Sequence, residues 1–395
     1  MQPVRYFGPV NIAYLLDGFG IGGTELNATR TLEALARRGI LTTVVHYAED
    51  GPLRSRVAAA GHRLVHVRTH SLYSPRSAGT LLQLRRVFRE HEISLVHAQD
   101  IYSNILGVLA GRMLCRLPVI TSRRWAHAVP RPVLLPINAW AHRQSSLILP
   151  NSSALTAMLL AEGVPQSRII VHENFIDDEA IHRMRPADVA AWRHRLGIAP
   201  NALTVGCVAR LSPVKRHDIL LAGFQRVTTE VPDAVLILVG DGPVRRELEA
   251  QAEALGLRGR VIFCGTLPHT PLSQQLFDVA VLVSENEGFP NSLVEASACG
   301  VPLVATLVGG VRDVLVENET GYAVPVGDAD ALAVAVLRLL RDPAERARLG
   351  ARGRALVVDR FGESAAIDRL LAIYRRFGSP TTASATLTPR RNHRE

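Results

Sequence analysis

The sequence predicts an α/β protein made of two open, parallel-sheet domains, and three observations lead to this fold class. Short apolar, β-rich runs alternate with amphipathic helical stretches, which is typical of βα units. The alternation stops in a stretch rich in charge and proline at residues 176–200 and then starts again. The chain has 395 residues and is 47% hydrophobic and 21% charged, so it has enough apolar material for two or three ordinary domains.

Each predicted element follows from its local pattern. In the first half, the apolar runs predict strands at 10–16, 41–47, 63–67, 93–97, 118–121 and 146–150, with helices at 25–38 and 80–91. In the second half, they predict strands at 203–209, 234–240, 260–265, 279–284 and 302–306, followed by helices at 328–342, 343–357 and 363–377. We therefore expect a front domain over residues 1–180 and a rear domain over 198–362. Residues 379–395 are rich in Thr, Ser and Pro, which predicts a disordered tail.

Positive charge is concentrated in the front half. The formal net charge is +9, and residues 1–197 carry 23 arginines against 14 acidic residues, while residues 198–395 carry 22 charges of each sign. Such a front half suits an anionic acceptor, a membrane surface or nucleic acid, and it equally suits an arginine-rich surface that is merely solvated. Lys215 is the single lysine among 45 cationic residues, which makes its position informative.

Cysteine spacing and hydropathy set the expected compartment. Cys115, Cys207, Cys264 and Cys299 are far apart and form no C-x-x-C pair, which predicts reduced thiols, no structural zinc and a cytoplasmic location. The N-terminus lacks the pattern of a signal peptide, and no apolar run reaches the roughly 18 to 20 residues of a membrane-spanning helix. Any membrane association is therefore expected to be peripheral, on the inner face of the membrane.

A glycine-rich loop at residues 17–25 follows the first strand and opens a helix. It has the spacing G-x-G-x-x-G at Gly18, Gly20 and Gly23, where backbone N–H groups and the helix dipole can approach a phosphate. A dinucleotide site also requires an acidic residue at the end of the second strand, and that place holds His46 and Tyr47. A nicotinamide site and a simple tight turn both remain open.

Two cationic residues lie near the carboxyl end of the first rear strand. Arg210 comes at the end of the strand, and Lys215 follows five residues later, near the start of the next helix. A guanidinium offers a planar fork and an ammonium a compact charge, so the two together suit a diphosphate. An ordinary surface lysine is the alternative.

Two carboxylates mark the stretch at residues 284–296. Glu287 is in the predicted loop, and Glu295, eight positions later, is about two turns into the predicted helix. Carboxylates so placed can face one cleft and hold vicinal hydroxyls, because an ionised carboxylate only accepts hydrogen bonds. In the alternative, Glu287 caps the helix and Glu295 is solvated.

Taken together, these residues resemble family 4 glycosyltransferases. In the rear half the resemblance rests on residues 206–215, 238–243, 263–265, 309–310 and 321–322 together with the pair Glu287 and Glu295. In the front half, residues 22–25, 96–98, 122–124, 151–152 and 174–177 follow in the family's order. The resemblance covers about residues 10–376 of the sequence.

The resemblance implies a GT-B fold, in which two Rossmann-like domains face each other across a cleft and the last helix, at 363–378, crosses back to the first domain. It implies a retaining glycosyltransferase that moves a sugar from a UDP- or GDP-sugar to a glycan or lipid-linked acceptor, in cell-envelope polysaccharide or lipopolysaccharide biosynthesis. No cofactor, metal or nucleic acid is expected. Arg210 and Lys215 would hold the donor diphosphate and stabilise its charge as the sugar bond breaks. Glu287 would meet the donor sugar, and His97 would contact it near its 6-position.

The resemblance also assigns donor-binding positions. Glu295 would take the ribose hydroxyls, the amides of Gly288 and Phe289 would meet the sugar, and Asn291 belongs to the same group. From the opposite domain, the backbone at residues 22–23 would approach the phosphate, so Gly22 and Gly23 are donor-binding candidates.

The sequence departs from the family's pattern at two places. The common Asn-Gly-Ile-Asp is Asn-Phe-Ile-Asp at residues 174–177, and Gln99 stands where a second histidine is common. Both departures concern the acceptor side.

The basic front half suggests a hypothesis about the binding of anionic lipid. Its arginines could attract anionic lipid headgroups or a lipid diphosphate, and the candidates are Arg85, Arg86, Arg89, Arg123, Arg124 and Arg131. Residues 125–140, with three prolines and two tryptophans, are a candidate interfacial loop or an ordinary loop that packs two aromatics. The alternative functions are a GT-B nucleotide-sugar epimerase, a nicotinamide oxidoreductase, and a basic membrane- or nucleic-acid-binding scaffold.

Overall fold

The structure is a computed structural model, and it describes residues 9–69, 77–125, 133–176, 184–267 and 273–380. Within these ranges, two six-stranded sheets form the framework, one in each half, and every strand pairing in them is parallel. Parallel neighbours need a crossover connection, usually a helix, and this is how the predicted βα alternation is realised.

The front half contains strands β1 (Pro9–Val10), β2 (Ile12–Leu16), β3 (Thr43–His46), β4 (Arg63–His66), β5 (Leu95–Ala98), β6 (Val119–Arg123) and β7 (Leu147–Pro150). Its helices are α1 (Gly23–Arg37), α2 (Arg54–Ala59), α3 (Ser77–Glu90), α4 (Ile101–Gly107), α5 (Leu134–Gln144) and α6 (Ser153–Ala161), and α4 continues as a π-helix at Val108–Leu114. The strand order is β4-β3-β2-β5-β6-β7. The order reverses between β2 and β5, where an open sheet places its ligand crevice.

The rear half contains strands β8 (Thr204–Val208), β9 (Val235–Val239), β10 (Val261–Gly265), β11 (Val279–Leu282), β12 (Leu303–Thr306) and β13 (Gly321–Val324). Its helices are α7 (Pro186–Arg195), α8 (His217–Glu230), α9 (Arg245–Ala254), α10 (Asn291–Ala298), α11 (Ala329–Arg341) and α12 (Pro343–Phe361). The strand order is β10-β9-β8-β11-β12-β13, which reverses between β8 and β11. The loops after β8 and β11 carry the two rear motifs.

The rear sheet is covered on both faces. Along β9, Leu236 and Leu238 pack into one core cluster, whereas Val235, Ile237 and Val239 pack into the other. A strand buried on both faces needs a nearly continuous apolar run, and this is why the rear strands were readable from the sequence.

The last helix, α13 (Glu363–Tyr374), returns to the front half. Its Leu370 and Tyr374 are fully buried in a cluster with Ile12 and Leu95 of the front sheet. Beyond it, β14 (Ser379–Pro380) pairs with β1. The predicted crossing helix and the two-domain α/β fold are therefore confirmed.

Several predicted elements are wrong or incomplete. The strand β13 and the helices α4 to α6 were not predicted. Residues 134–140, predicted as part of a loop, begin α5, and Trp125 is buried. Pro136 favoured the loop prediction, but a proline in the first turn of a helix removes no intrahelical hydrogen bond, so the helix can form around it. Residues 126–132 lie outside the described ranges.

The predicted tail and domain limits have a mixed outcome. The predicted tail begins two residues too early, because Ser379 and Pro380 belong to β14, and residues 381–395 lie outside the described ranges. The predicted domain limits, 1–180 and 198–362, stay predictions, since residues 177–183 at the expected boundary also lie outside the described ranges. None of the helices in the described ranges is both long and apolar enough to cross a membrane.

Candidate active site

The glycine-rich loop of the front half faces the rear half. Gly22 is the N-cap of α1, and Gly23 is its first residue. A Cβ atom added to Gly23 would lie 3.1 Å from the Nδ2 atom of Asn291. The start of α1, with its outward N–H groups, therefore opens into the space between the two halves, where the structure brings Gly23 and Asn291 together.

The lone lysine lies beside one of the two predicted carboxylates. Lys215 ends a short 3₁₀ turn after β8, and its Nζ atom donates a hydrogen bond to Oε1 of Glu287 in the loop after β11. Ser284 Oγ donates to the same oxygen at 2.6 Å. Glu287 is buried, while Arg210 is exposed at the end of β8. Because β8 and β11 are neighbours, their two loops meet at one edge of the sheet.

The backbone of this loop is closely packed, and glycines make that possible. Gly310 N donates to Glu287 O at 3.1 Å. A Cβ atom on Gly309, which has a φ of +49°, would lie 1.8 Å from Glu287 O, and one on Gly310 would lie 2.4 Å from Gly288 O. One on Gly288 would lie 2.6 Å from Arg124 O in the front half. The rear loop therefore reaches the front half through its backbone.

Helix α10 carries Asn291 and Glu295 one turn apart, so both lie on one face. Asn174 of the front half donates from Nδ2 to Asn291 Oδ1 at 2.8 Å, and Arg30 of α1 donates from Nη2 to Glu295 Oε1 at 3.1 Å. The side chains of Arg30 and Glu295 are each 8% exposed. Sequence reasoning found Glu295 but missed Arg30, because nothing in the sequence of α1 shows which residue it will meet across the cleft.

His97 lies in a buried hydrogen-bond network rather than on the surface of the cleft. Its Nδ1 is 2.7 Å from Tyr374 Oη, and its Nε2 is 2.9 Å from Gln99 Nε2. Arg124 Nη2 donates to Gln99 Oε1 at 3.1 Å. Because arginine only donates, this bond fixes the orientation of the Gln99 amide, whose N–H then donates to His97 Nε2. The His97 proton is therefore assigned to Nδ1, which donates to Tyr374.

The pKa of His97 agrees with a ring that carries a single proton. Burial, followed by the nearby charge of Arg124, lowers the pKa of His97 well below its usual value. The ring is therefore neutral at neutral pH. The predicted contact of His97 with the donor sugar stays a prediction, since in this structure both ring nitrogens contact protein groups.

The sequence matches two family models. The family described as "Glycosyltransferase Family 4" matches residues 21–180, and the one described as "Glycosyl transferases group 1" matches residues 188–356. A GDP-mannose-dependent phosphatidylinositol monomannoside mannosyltransferase of Mycolicibacterium smegmatis is 30% identical over 318 residues, which are 77% of this chain and 81% of the relative. This chain belongs to glycosyltransferase family 4. The glycosyltransferase assignment displaces the nicotinamide and nucleic-acid alternatives.

Other relatives agree with it in length and fold. The N-acetyl-α-D-glucosaminyl L-malate synthase of Bacillus anthracis is 27% identical over 369 residues, covering 91% of this glycosyltransferase and 94% of that enzyme. Among solved structures, Anabaena HepE in complex with UDP superposes with a TM-score of 0.82 at 22% identity, covering 92% of this chain and 99% of HepE. At that identity the likeness shows the shared GT-B fold.

The front-half arginines divide into buried and exposed groups. Arg123 and Arg124 are 3% and 6% exposed. Arg123 also forms an ion pair with Glu162 at 3.2 Å. Because both arginines are buried, neither can attract a lipid headgroup, and the hypothesis was wrong for both. Arg85 is half-buried, whereas Arg86 and Arg89 are exposed. Arg131 lies outside the described residues.

Across the part of the chain that the structure describes, no three side chains of His, Cys, Asp or Glu are grouped so as to hold a metal ion.

Proposed function

We propose that this chain is a retaining, metal-independent glycosyltransferase that moves a sugar from a UDP- or GDP-sugar to a glycan or lipid-linked acceptor of the cell envelope. The observation that carries the proposal is the ion pair of Lys215 with Glu287 at the carboxyl edge of the rear sheet, in a loop that reaches the front half at Arg124. This edge, at the strand-order reversal, is where open α/β sheets bind their ligands.

Lys215 and Arg210 would act on the donor diphosphate. The Lys215 side chain is 21% exposed and its ammonium is paired with Glu287, while Arg210 is exposed to solvent. Negative charge grows on the diphosphate as the bond to the sugar breaks, so cations fixed in advance stabilise the transition state more than the ground state. No general base from the protein is required if the leaving phosphate takes the proton of the acceptor hydroxyl.

Metal independence is supported by how the charged groups are used. A metal that bridges donor phosphates is usually held by carboxylates. Here Oε1 of Glu287 already accepts from Lys215 and Ser284, and Glu295 pairs with Arg30. The same positive charge is thus supplied to the diphosphate by protein cations. Equal turnover in EDTA and in Mg²⁺ tests this part of the proposal.

The donor and acceptor classes draw on the relatives. The mannosyltransferase matched above is named as GDP-mannose-dependent, HepE was solved with UDP, and a lipopolysaccharide core glycosyltransferase, LpsD of Rhizobium meliloti, also matches. A thermal-shift screen with UDP, GDP, ADP and their sugars tests the donor class, because a ligand that binds the folded chain stabilises it by mass action. Absence of binding to every nucleotide would contradict the proposal.

Retention is tested on the product. With the donor identified, proton NMR of the first product formed distinguishes an α- from a β-linkage, and an α-linked donor should give an α-linked product. An inverted product would overturn this part of the proposal and leave the transferase assignment intact.

We also propose a peripheral contact with an anionic lipid surface. The exposed residues Arg86 and Arg89 of α3 lie beside the π-helix, whose exposed Met113 and Leu114 offer apolar surface next to Arg112. A cavity of about 330 Å³ lies between the two helices and is lined partly by Arg89 and Leu114. Cations beside exposed apolar side chains suit a headgroup region, where both kinds of contact are available.

A further inference from the structure

Helix α10 of the rear half is held by two side chains of the front half. Asn174 bonds Asn291 at the first residue of the helix, and Arg30 bonds Glu295 one turn later. Arg30 is 265 residues away from Glu295 in the sequence, and their pairing exists only because the two halves meet. The rear helix that carries two donor-binding candidates packs into the core of its own half, and the front half contacts it at both candidates.

The ion pair of Arg30 with Glu295 is buried, which makes it sensitive to the position of the front half. Both side chains are 8% exposed. A buried carboxylate that loses its cation is left with an uncompensated charge, and this costs far more than losing a surface ion pair. If the front half moves away, Glu295 must be rehydrated and is free to rotate.

A carboxylate can accept hydrogen bonds from an arginine and from a ligand at the same time. A carboxylate offers about four lone-pair sites, whereas one guanidinium N–H uses one of them. The Arg30 guanidinium and a pair of vicinal hydroxyls all donate, and one carboxylate can accept from both because it has two oxygens. Arg30 therefore fixes the orientation of the group that would hold the ribose.

We propose that Arg30 is a positioning residue that orients Glu295 for a nucleoside's vicinal hydroxyls, so that the front half contributes to nucleotide affinity through a residue that does not itself touch the nucleotide. The inference rests on the proposed function, because it takes Glu295 as the ribose carboxylate. Arg30 acts through Glu295 and not on the reacting atoms.

The inference is tested by nucleotide binding rather than by turnover alone. Calorimetry with UDP and GDP should show that Arg30→Ala weakens binding about 10- to 100-fold, the range for removing a charge-assisted hydrogen bond to a buried group. Arg30→Lys should recover part of the loss, since it restores the charge without the fork. Arg56→Ala is the matched control. Arg56 of α2 pairs with Glu33 of α1, the helix that also carries Arg30, and this pair lies entirely within the front half. Its loss should leave nucleotide binding unchanged.

A double-mutant cycle separates positioning from a general effect on folding. If Arg30 works through Glu295, then Arg30→Ala adds at most about 2-fold to the loss caused by Glu295→Ala, because the two share one interaction. Additive losses would overturn the inference, and so would an Arg30→Ala variant that binds as tightly as the parent. Thermal unfolding without nucleotide checks that each variant is folded, and Arg30→Lys replaces Arg30→Ala in the cycle if the latter is not.

Two negative results have different meanings. If the parent chain binds neither UDP nor GDP nor their sugars, the role of Glu295 in donor binding is refuted, and so is the proposed function. If the parent binds and Arg30→Ala binds equally well, the proposed function stands and only the role of Arg30 is refuted.

Discussion

The two halves of this glycosyltransferase share one architecture and differ in what they bury. Each has a six-stranded parallel sheet with the same strand order relative to its first long strand. The front half encloses ionisable groups deep in its core, among them His97, His142 and Arg124. In the rear half, the buried carboxylates Glu287 and Glu295 lie at the cleft edge. The rear half thus keeps its buried carboxylates at its rim and also buries His217, whereas the front half buries neutral histidines together with arginines in its core.

This difference separates the roles of the two halves. A rigid apolar sheet can hold fixed cations and carboxylates against a donor diphosphate, as catalysis by preorganised charge requires. The buried network of the front half instead links its sheet, the crossing helix and the rear half through His97, Tyr374, Arg124 and Asn174. We therefore expect changes at the rear rim to affect turnover first, and changes in the front core to affect stability first.

The largest expected effect is on turnover and comes from the rear half. Lys215→Ala should lower kcat about 10²- to 10³-fold, the cost of removing one preorganised group that stabilises developing charge. The melting temperature should fall as well, because the buried Glu287 loses its cation, so kcat is measured at a temperature at which the parent and the variant are both folded. Arg226→Ala is the control, since Arg226 is a half-exposed cation on α8 paired with Asp330. Full turnover in Lys215→Ala would contradict the diphosphate role.

The next effect tests the contact between the halves. Gly310→Ala would place a Cβ atom 2.4 Å from Gly288 O and 2.9 Å from Ser152 Cβ in the front half. We expect a loss of about 1–3 kcal/mol in the free energy of unfolding, as for other overpacked sites, together with weaker nucleotide binding. Gly79→Ala on α3, where nothing lies within 4 Å of the added atom, should be neutral or slightly stabilising. Equal melting temperatures for the two variants would contradict this account of the loop.

Acid should destabilise the front half before the rear half. Burial, then the charges of nearby arginines, lowers the pKa of His142 and of His172 to about 3, and burial lowers that of His217 in the rear half to about 4. The folded chain binds fewer protons than the unfolded chain, whose histidines titrate near 6.5, so stability is full above about pH 6.5 and is lost as the pH falls below it. Each buried histidine should remove on the order of 1–2 kcal/mol between pH 6.5 and 5.

Hydrogen exchange measured peptide by peptide gives the readout for the acid effect. Between pH 6.5 and 5, after correction for intrinsic exchange rates, protection should fall in peptides of the front half, where His97, His142 and His172 are buried, before it falls in β8 to β13. If the rear sheet loses protection first, the claim that acid destabilises the front half before the rear half is contradicted.

The sequence predicted the rear half better than the front half, for a physical reason. Apolar runs such as 234–240 are nearly continuous because both faces of the sheet are buried, and the structure places β9 within that run. In the front half, α5 was hidden by Pro136, and α4 with its π-helical continuation was read as no element at all.

The candidate site shows the same limit. Lys215, Glu287, Glu295 and Asn291 could be proposed from motifs, because each lies in a loop or helix whose local pattern is readable. Arg30 could not, since its partner is set by how the two halves close and not by any local pattern. Likewise, a count of charges cannot show that Arg123 is inside the protein.

The smallest expected effect concerns the lipid surface and separates exposed from buried arginines. Arg89→Ala and Arg112→Ala should each weaken binding to liposomes that contain phosphatidylglycerol by about 5-fold, the value for one cation near an anionic surface, and added salt should reduce binding of the parent. Neutral phosphatidylcholine liposomes are the matched control. Arg123→Ala should instead lower the melting temperature without a direct effect on lipid, because it removes the ion pair with the half-buried Glu162 and the guanidinium that lies over the Trp125 ring. Equal binding to both kinds of liposome at every salt concentration would remove the membrane proposal and leave the transferase site unaffected.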